Sequence, residues 1–565
     1  MTRSSVIEQG SHRHAHPKTG LKIFVCNPRK PDVRVADHYL SPISKPLPQW
    51  VHHIFLRVHE HRPETHCRNT PPGWISPAES NRLESPRARK VEERHRLPIT
   101  AGGIALTTRF RPESGIRVAP RDALNIFAEN SRIVANIIDV CIFDLAESSQ
   151  TFTAEVAREW MANRLDRSPI FTRRLHRLPG DVGDPYWIDD PTPAMDQHVH
   201  VTAVKDPGWE PVESALADLL SAPMDLEDSA WEVHFLTGIH GVDGLPDDCC
   251  AAVVKAHHSA TDGLGLVAVV RALFTDDRTE SVLPRGDQRS VRIPPLMLSA
   301  VRAPLSYASF AWSMAASRLH ARRDSTPSPA YTTTRFNDRV ELEQWIRVLW
   351  LSVDGMRRIS RTVPGATIND VAMTMVSLAL DRYLDLPRAS FGSTMPLDTH
   401  DVRDSGTANQ THFANVDLHN DVEDPHARLA AIRESTSHAK ELTRSSEVAP
   451  QPRPMEKIPP GVARLLGRLA TIRRPAPPAV SATTVISNMP HGKDDLTLLG
   501  APVVGAFMPM PTVDGMGLIH HVASVGDSLA LTVTVEKAMM PDPDRYLAIL
   551  RDVYTELTRP GGSFT

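Results

Sequence analysis

His257-His258-Ser259-Ala260-Thr261-Asp262-Gly263 stands between a continuous apolar run, CCAAVVKA (249–256), and a segment with apolar residues at helical spacing, GLGLVAVVRALF (263–274). The first reads as a central strand and the second as a helix, so two histidines and an aspartate sit where a strand hands the chain to a helix. Such element ends, held by a rigid scaffold, are where catalytic groups tend to lie. Adjacent residues of an extended strand point to opposite faces, so one histidine is expected to face a site while the other packs. That divergence also disfavours a shared metal, and no HExxH spacing occurs. A neutral imidazole can take a proton from a hydroxyl and return it to a leaving group, which is what acyl transfer requires. Ser259 lacks the GxSxG elbow of a strained nucleophile. Asp262 is expected to pin the turn by pairing with a cation elsewhere, and Gly263 to give the turn its backbone freedom. On these grounds alone a histidine pair at a strand end is more often structural than catalytic.

Outward from this heptad the pattern is mixed. ANIIDVCIFDL (135–145) reads as a buried strand, TAEVAREWMANRL (153–165) as a helix behind a Thr cap, and WEVHFLTGI (231–239) as a strand with one buried face. A proline-marked stretch over 285–345 holds a helical piece, LSYASFAWSMAASRLHARR (305–323), and reads as a crossover. Thr367 and Asp370 form a capping-box-like start for a helix whose apolar face includes Val371, Met375 and Leu378. Two strand-like runs flank Gly526-Asp527, and a helix over about 543–558 closes the chain. The class is α+β. The expected divisions are a low-order extension (1–116), a first domain (117–300), a crossover (301–345) and a second domain (346–565).

With 565 residues the chain exceeds a single core, and 41% hydrophobic against 23% charged residues is ordinary globular usage. A net charge of −4 argues against nucleic acid as a partner. Residues 1–116 differ from the rest, with 19 Lys and Arg against 10 Asp and Glu. Five cysteines without CxxC spacing suit a reducing compartment, and no apolar run is long enough for a membrane span. The expected location is the cytoplasm.

HHSATDG resembles the HHxxxDG active-site motif of CoA-dependent acyltransferases, and the chain from about Pro120 onward is similar to the bacterial wax ester synthase/diacylglycerol acyltransferase family. PMDLEDSAWEVHFLTG (223–238), ATINDVAMTMVSLALDRYL (366–384), SNMPHG (487–492) and GAPVVGAFMPMPTVDGMGL (500–518) resemble further family blocks, in order. The resemblance implies a two-domain fold of the chloramphenicol acetyltransferase type, two αβ sandwiches with the active-site channel between the halves. It places the general base on His258, gives His257, Asp262 and Gly263 supporting roles in the motif, and makes Asn369 and Asp370 a structural motif. No metal and no cofactor are implied; acyl-CoA is a co-substrate, and diacylglycerol or a fatty alcohol the acceptor. The expected product is triacylglycerol or wax ester, made at a peripheral membrane or lipid-droplet surface, and GVARLLGRLATIRR (461–474) is a basic, partly apolar candidate for the contact. Two departures stand out: MPLDTH (395–400) puts His400 where an arginine is usual, and SNMPHG inserts His491 before the glycine. They leave open a catalytically silent lipid-binding relative, and because HHxxxDG also occurs in condensation domains, condensation-domain-like transfer from a carrier-bound thioester is the other alternative.

Overall fold

The computed structural model describes residues 113–559, apart from 149, 277–288, 324–329, 387–388, 399–407, 410, 449–453 and 473–476. His400 and all but the last residues of the 1–116 extension lie outside the described residues.

Two six-stranded sheets organise the body. In the first half lie β1 (Asn136–Asp144), β2 (Val199–Ala203), β3 (Trp231–Ile239) and β4 (Cys249–His257). In the second half lie β5 (Gln344–Ser352), β6 (Gly392–Asp398), β7 (Thr411–Asp417), β8 (Thr484–Asn488), β9 (Thr497–Leu498), β10 (Ala501–Phe507), β11 (Leu518–Val525) and β12 (Ser528–Glu536). The sheets do not follow the sequence halves. One runs β5-β12-β11-β8-β6-β7, but the other runs β9-β10-β1-β4-β3-β2, because β10 leaves the second half and pairs antiparallel with β1 through Ala506 and Cys141.

Strands β1 and β4 are buried along almost their whole length, which is why they read as unbroken apolar runs. Their alternate residues enter two different apolar clusters, Cys141, Phe143 and Ala252 on one face, Val140, Ile142 and Val253 on the other. Strand β3 departs from the expected single buried face: Leu236 is buried too, because the helix Glu210–Ser221 lays Val212, Leu216 and Leu220 over that side.

Seven further helices matter to the site and its surroundings: α1 (Pro120–Phe127), α2 (Gly263–Phe274), α3 (Leu296–Arg323), α4 (Ile368–Leu384), α5 (Pro425–Val448), α6 (Pro460–Ala470) and α7 (Pro543–Thr558). Helix α4 has the expected capping box: Thr367 Oγ accepts from the Asp370 N–H, and Asp370 Oδ2 accepts from the Thr367 N–H at 2.7 Å. Val371, Met375 and Leu378 then enter the second-half core with Leu531 and Val533. Helix α3 starts at Leu296, upstream of the helical piece read from sequence, and continues through Pro304. The strand Ser114–Arg117 pairs with Tyr186 and Trp187 on one side and with Ser290–Arg292 on the other, so this strand straddles the expected boundary at 116.

Candidate active site

The chain leaves β4 at His257 and enters α2 at Gly263, as the sequence pattern predicts. His257 is fully buried. Its Nδ1 accepts from the Ser259 hydroxyl at 2.6 Å and from the Ser259 N–H at 3.2 Å, which assigns the ring proton to Nε2, 3.2 Å from Glu129 Oε1. Ser259 is therefore a buried donor to a structural histidine. His258, one residue on, is the member of the pair that keeps solvent access. Burial lowers its pKa below the ordinary imidazole value, opposed by the Asp262 charge and by the Asn409 side chain, both of which favour the protonated ring. The neutral, proton-accepting form prevails at neutral pH.

The backbone around His258 is held on three sides. Its N–H donates to the Ala135 carbonyl at 2.7 Å; its carbonyl accepts from Asn409 Nδ2 at 2.7 Å and from Asn125 Nδ2 at 3.4 Å. Asn409 belongs to the second half, and its amide also donates to Asp122 Oδ1 at 2.7 Å. Asp122, on α1, accepts in addition from the Ala408 and Asn409 N–H groups. Burial raises its carboxyl to about 6 against those hydrogen bonds, which lower it.

Asp262 pins the turn by a contact not expected from the sequence, at the start of α2. Its carboxylate is the N-cap of α2, with Oδ1 accepting from the Gly265 N–H at 2.8 Å. Gly263 also differs in its reason for being glycine. Its φ is not left-handed; a Cβ there would lie 2.7 Å from Met489 Sδ and Cε, so the small residue makes room for the SNMPHG segment of the other half. Asn369 and Asp370 lie apart from this turn in their contacts: Asn369 Nδ2 meets Met395 Sδ at 3.3 Å, and Asp370 Oδ1 accepts from Thr436 at 2.6 Å, tying α4 to α5.

His491, the inserted histidine, is buried, and its Nε2 lies 2.9 Å from both carboxylate oxygens of Asp139 on β1. Arg271 of α2 grips the same segment through the His491 and Lys493 carbonyls and pairs with Asp495 at 2.9 Å. Cys141 completes a group whose ligand-type atoms lie within 4.8 Å of one another. Its thiol is pushed well up by burial and by Asp139, and the imidazole already faces the carboxyl group, so the arrangement reads as a cross-half histidine–aspartate contact beside a neutral thiol. A cavity of about 400 Å³ lies elsewhere, lined by Arg158, His200, Asp218 and His234 among others, and includes none of the motif residues.

Asp122, Asn125, Glu129, Asn409 and Met489 were not singled out by sequence. Asn409 and Asp122 are separated by 287 residues, and no local pattern marks either.

Two αβ halves thus share a sheet, with an accessible histidine on a capped strand-to-helix turn where they meet, and the comparisons with known proteins make this the architecture of an acyltransferase family. Residues 118–372 match the model of the wax ester synthase/diacylglycerol acyltransferase catalytic domain, and residues 407–558 that of the WS/DGAT C-terminal domain. The chain belongs to this family. A protein of Mycobacterium tuberculosis, provisionally named a diacylglycerol O-acyltransferase, is 30% identical over 373 residues, 63% of this chain and 79% of that protein. A second protein of that species with the same provisional name is 25% identical over 475 residues, 79% of this chain and all of its own length. The solved wax ester synthase/diacylglycerol acyltransferase of Marinobacter aquaeolei VT8 shares the fold with a TM-score of 0.53 at 20% identity, covering 78% of this chain and 98% of that one.

Proposed function

We propose that the protein transfers an acyl group from acyl-CoA to the free hydroxyl of diacylglycerol, forming triacylglycerol, with long-chain alcohols as a second acceptor class yielding wax esters. The observation that carries this reading is His258: an imidazole kept neutral by burial yet accessible, on a turn whose backbone is tied to both halves. His258 takes the acceptor hydroxyl proton as the oxygen attacks the thioester carbonyl. The C–S bond then breaks, and the imidazolium returns its proton to the departing thiolate, so the products are ester and free CoA. Asp262 and Asn409 favour the imidazolium formed in between. His257, Asp262 and Gly263 hold the turn, and Asn369 and Asp370 hold α4.

The family membership and the provisional names of the mycobacterial relatives support the acceptor class. No described helix is long and apolar enough to cross a membrane, which fits peripheral association with membrane or lipid droplet in the cytoplasm. Release of CoA from palmitoyl-CoA, with diacylglycerol or hexadecanol offered separately, tests the reading. Saturable release that needs an acceptor and yields the matching ester supports it; binding of both lipids without release would leave a silent relative.

A further inference from the structure

Helix α3 is 28 residues long, about 42 Å at 1.5 Å per residue, and turns an apolar stripe to solvent. Met297 is 83% exposed, Val301 73%, Leu305 70% and Trp312 77%. Leu298, Leu305, Trp312 and Leu319 recur every seven residues and so share one face, while Ser299 and Ser313 are buried on another and Phe310 packs against the buried cluster that includes Ile458 and Ala463. A helix on a water-facing surface normally reverses this arrangement. Residues 296–323 include four arginines and no aspartate or glutamate.

The neighbouring helix repeats the pattern. Tyr307 of α3 lies against Gly461 at the start of α6. Leu465 and Ile472 are exposed there, beside exposed Arg468, and residues 460–472 also contain no acidic side chain. Apolar side chains with an exposed tryptophan, on two helices that carry arginines and no acidic residue of their own, match a bilayer's acyl boundary and its anionic headgroups, although Arg464 is itself paired with Asp181 and Glu456 lies on the segment packed against α3. A second copy fits poorly, because self-pairing of α3 would set arginine near arginine along helices that carry no acid of their own.

We propose that the outer faces of α3 and α6 form one docking surface for an anionic lipid layer, with α3 rather than 461–474 supplying most of the apolar contact. This rests on the lipid-acceptor reading only for its purpose, since binding is measured without turnover. The full chain is sedimented with phosphatidylcholine vesicles, with and without phosphatidylglycerol, at low and high salt. The test variant is the double substitution Leu305→Glu/Trp312→Glu, whose thermal transition should match wild type because both side chains are exposed. Wild type should sediment with anionic vesicles and be released by salt, and the variant should bind about tenfold more weakly or worse. CoA release from detergent-dispersed substrates should be the same for both, which separates failure of the surface from failure of the activity. Unchanged vesicle binding by the variant, equal binding to neutral vesicles, or a wild-type dimer that the variant converts to monomer would each overturn the proposal.

Discussion

Asn409 donates its side-chain amide to the carbonyl of His258 at 2.7 Å, so the second half of the chain holds the backbone of the proposed base directly. The other amide hydrogen goes to Asp122 at 2.7 Å, and both bonds are buried or nearly so. Asn409→Ala removes both and leaves a buried carboxylate short of a donor, an expected cost of about 1–3 kcal/mol. Turnover should fall by more than the folded fraction, with a larger effect on kcat than on KM, because the imidazole is misplaced while the acceptor site is untouched. Denaturant unfolding combined with CoA-release kinetics measures both.

The two histidines should separate cleanly. General-base catalysis contributes about 10²–10⁴-fold, so His258→Ala should lose turnover by that order and keep its thermal transition. His257→Ala removes a buried ring hydrogen-bonded to Ser259, and its activity loss should track the fraction folded. Near-normal turnover in His258→Ala together with abolished turnover in folded His257→Ala would reverse the assignment.

Asp122 makes stability depend on pH in a direction unusual for a carboxylate. Its folded pKa of about 6 lies above the ordinary 3.8, so the native state binds this proton more tightly than the unfolded chain does. Its contribution is complete below the ordinary value and is lost as pH rises through about 6. Relative to Asp122→Asn, wild-type unfolding free energy should fall across that window; a constant difference between the two would remove Asp122 as the titrating group.

The Asp139 and His491 pair predicts strong coupling. His491→Leu alone strands a fully buried carboxylate and should cost about 3–5 kcal/mol, whereas Asp139→Leu with His491→Leu should recover most of that loss. A double-mutant cycle by urea unfolding reads the coupling, and additive losses would show that the two groups do not depend on each other.

Truncation should respect the strand Ser114–Arg117. A chain beginning at Arg111 should retain its thermal transition and CoA release, since the stretch before it lacks a periodic apolar pattern. A chain beginning at Val118 loses the strand between Tyr186–Asp189 and Ser290–Arg292 and should melt earlier. Differential scanning of the two decides.

Local signals were legible and distant ones were not. The run from Cys249 through Phe274 could be read because period, polarity and caps change within a few residues of the motif, and the α4 capping box likewise spans only Thr367 to Asp370. The helical piece read from Leu305 misses the first turns of α3, which begins at Leu296 and accommodates Pro304 although a proline costs a helical hydrogen bond. His491 was visible as an insertion, but its partner Asp139 lies 352 residues away in what reads as an apolar strand. Asn409 carries no signal at all, since an asparagine outside any periodic element looks like a loop residue until the fold brings it to His258. The cap that Asp262 provides for α2 was missed, although the unsatisfied N–H groups of the helix it begins are the nearest donors to its carboxylate.

The passage of β10 into the sheet of the first half limits how this enzyme can move. Ala506 and Phe507 are laddered to Cys141 and Val140, so the halves are stitched by backbone hydrogen bonds as well as by side chains. Swinging them apart like the leaves of a hinge would tear a strand from the edge of β1. On the proposed function, lipid and thioester enter and leave through rearrangement of side chains and loops around a frame that stays closed, and cutting the chain into its two sequence halves would leave the first sheet without strands it needs.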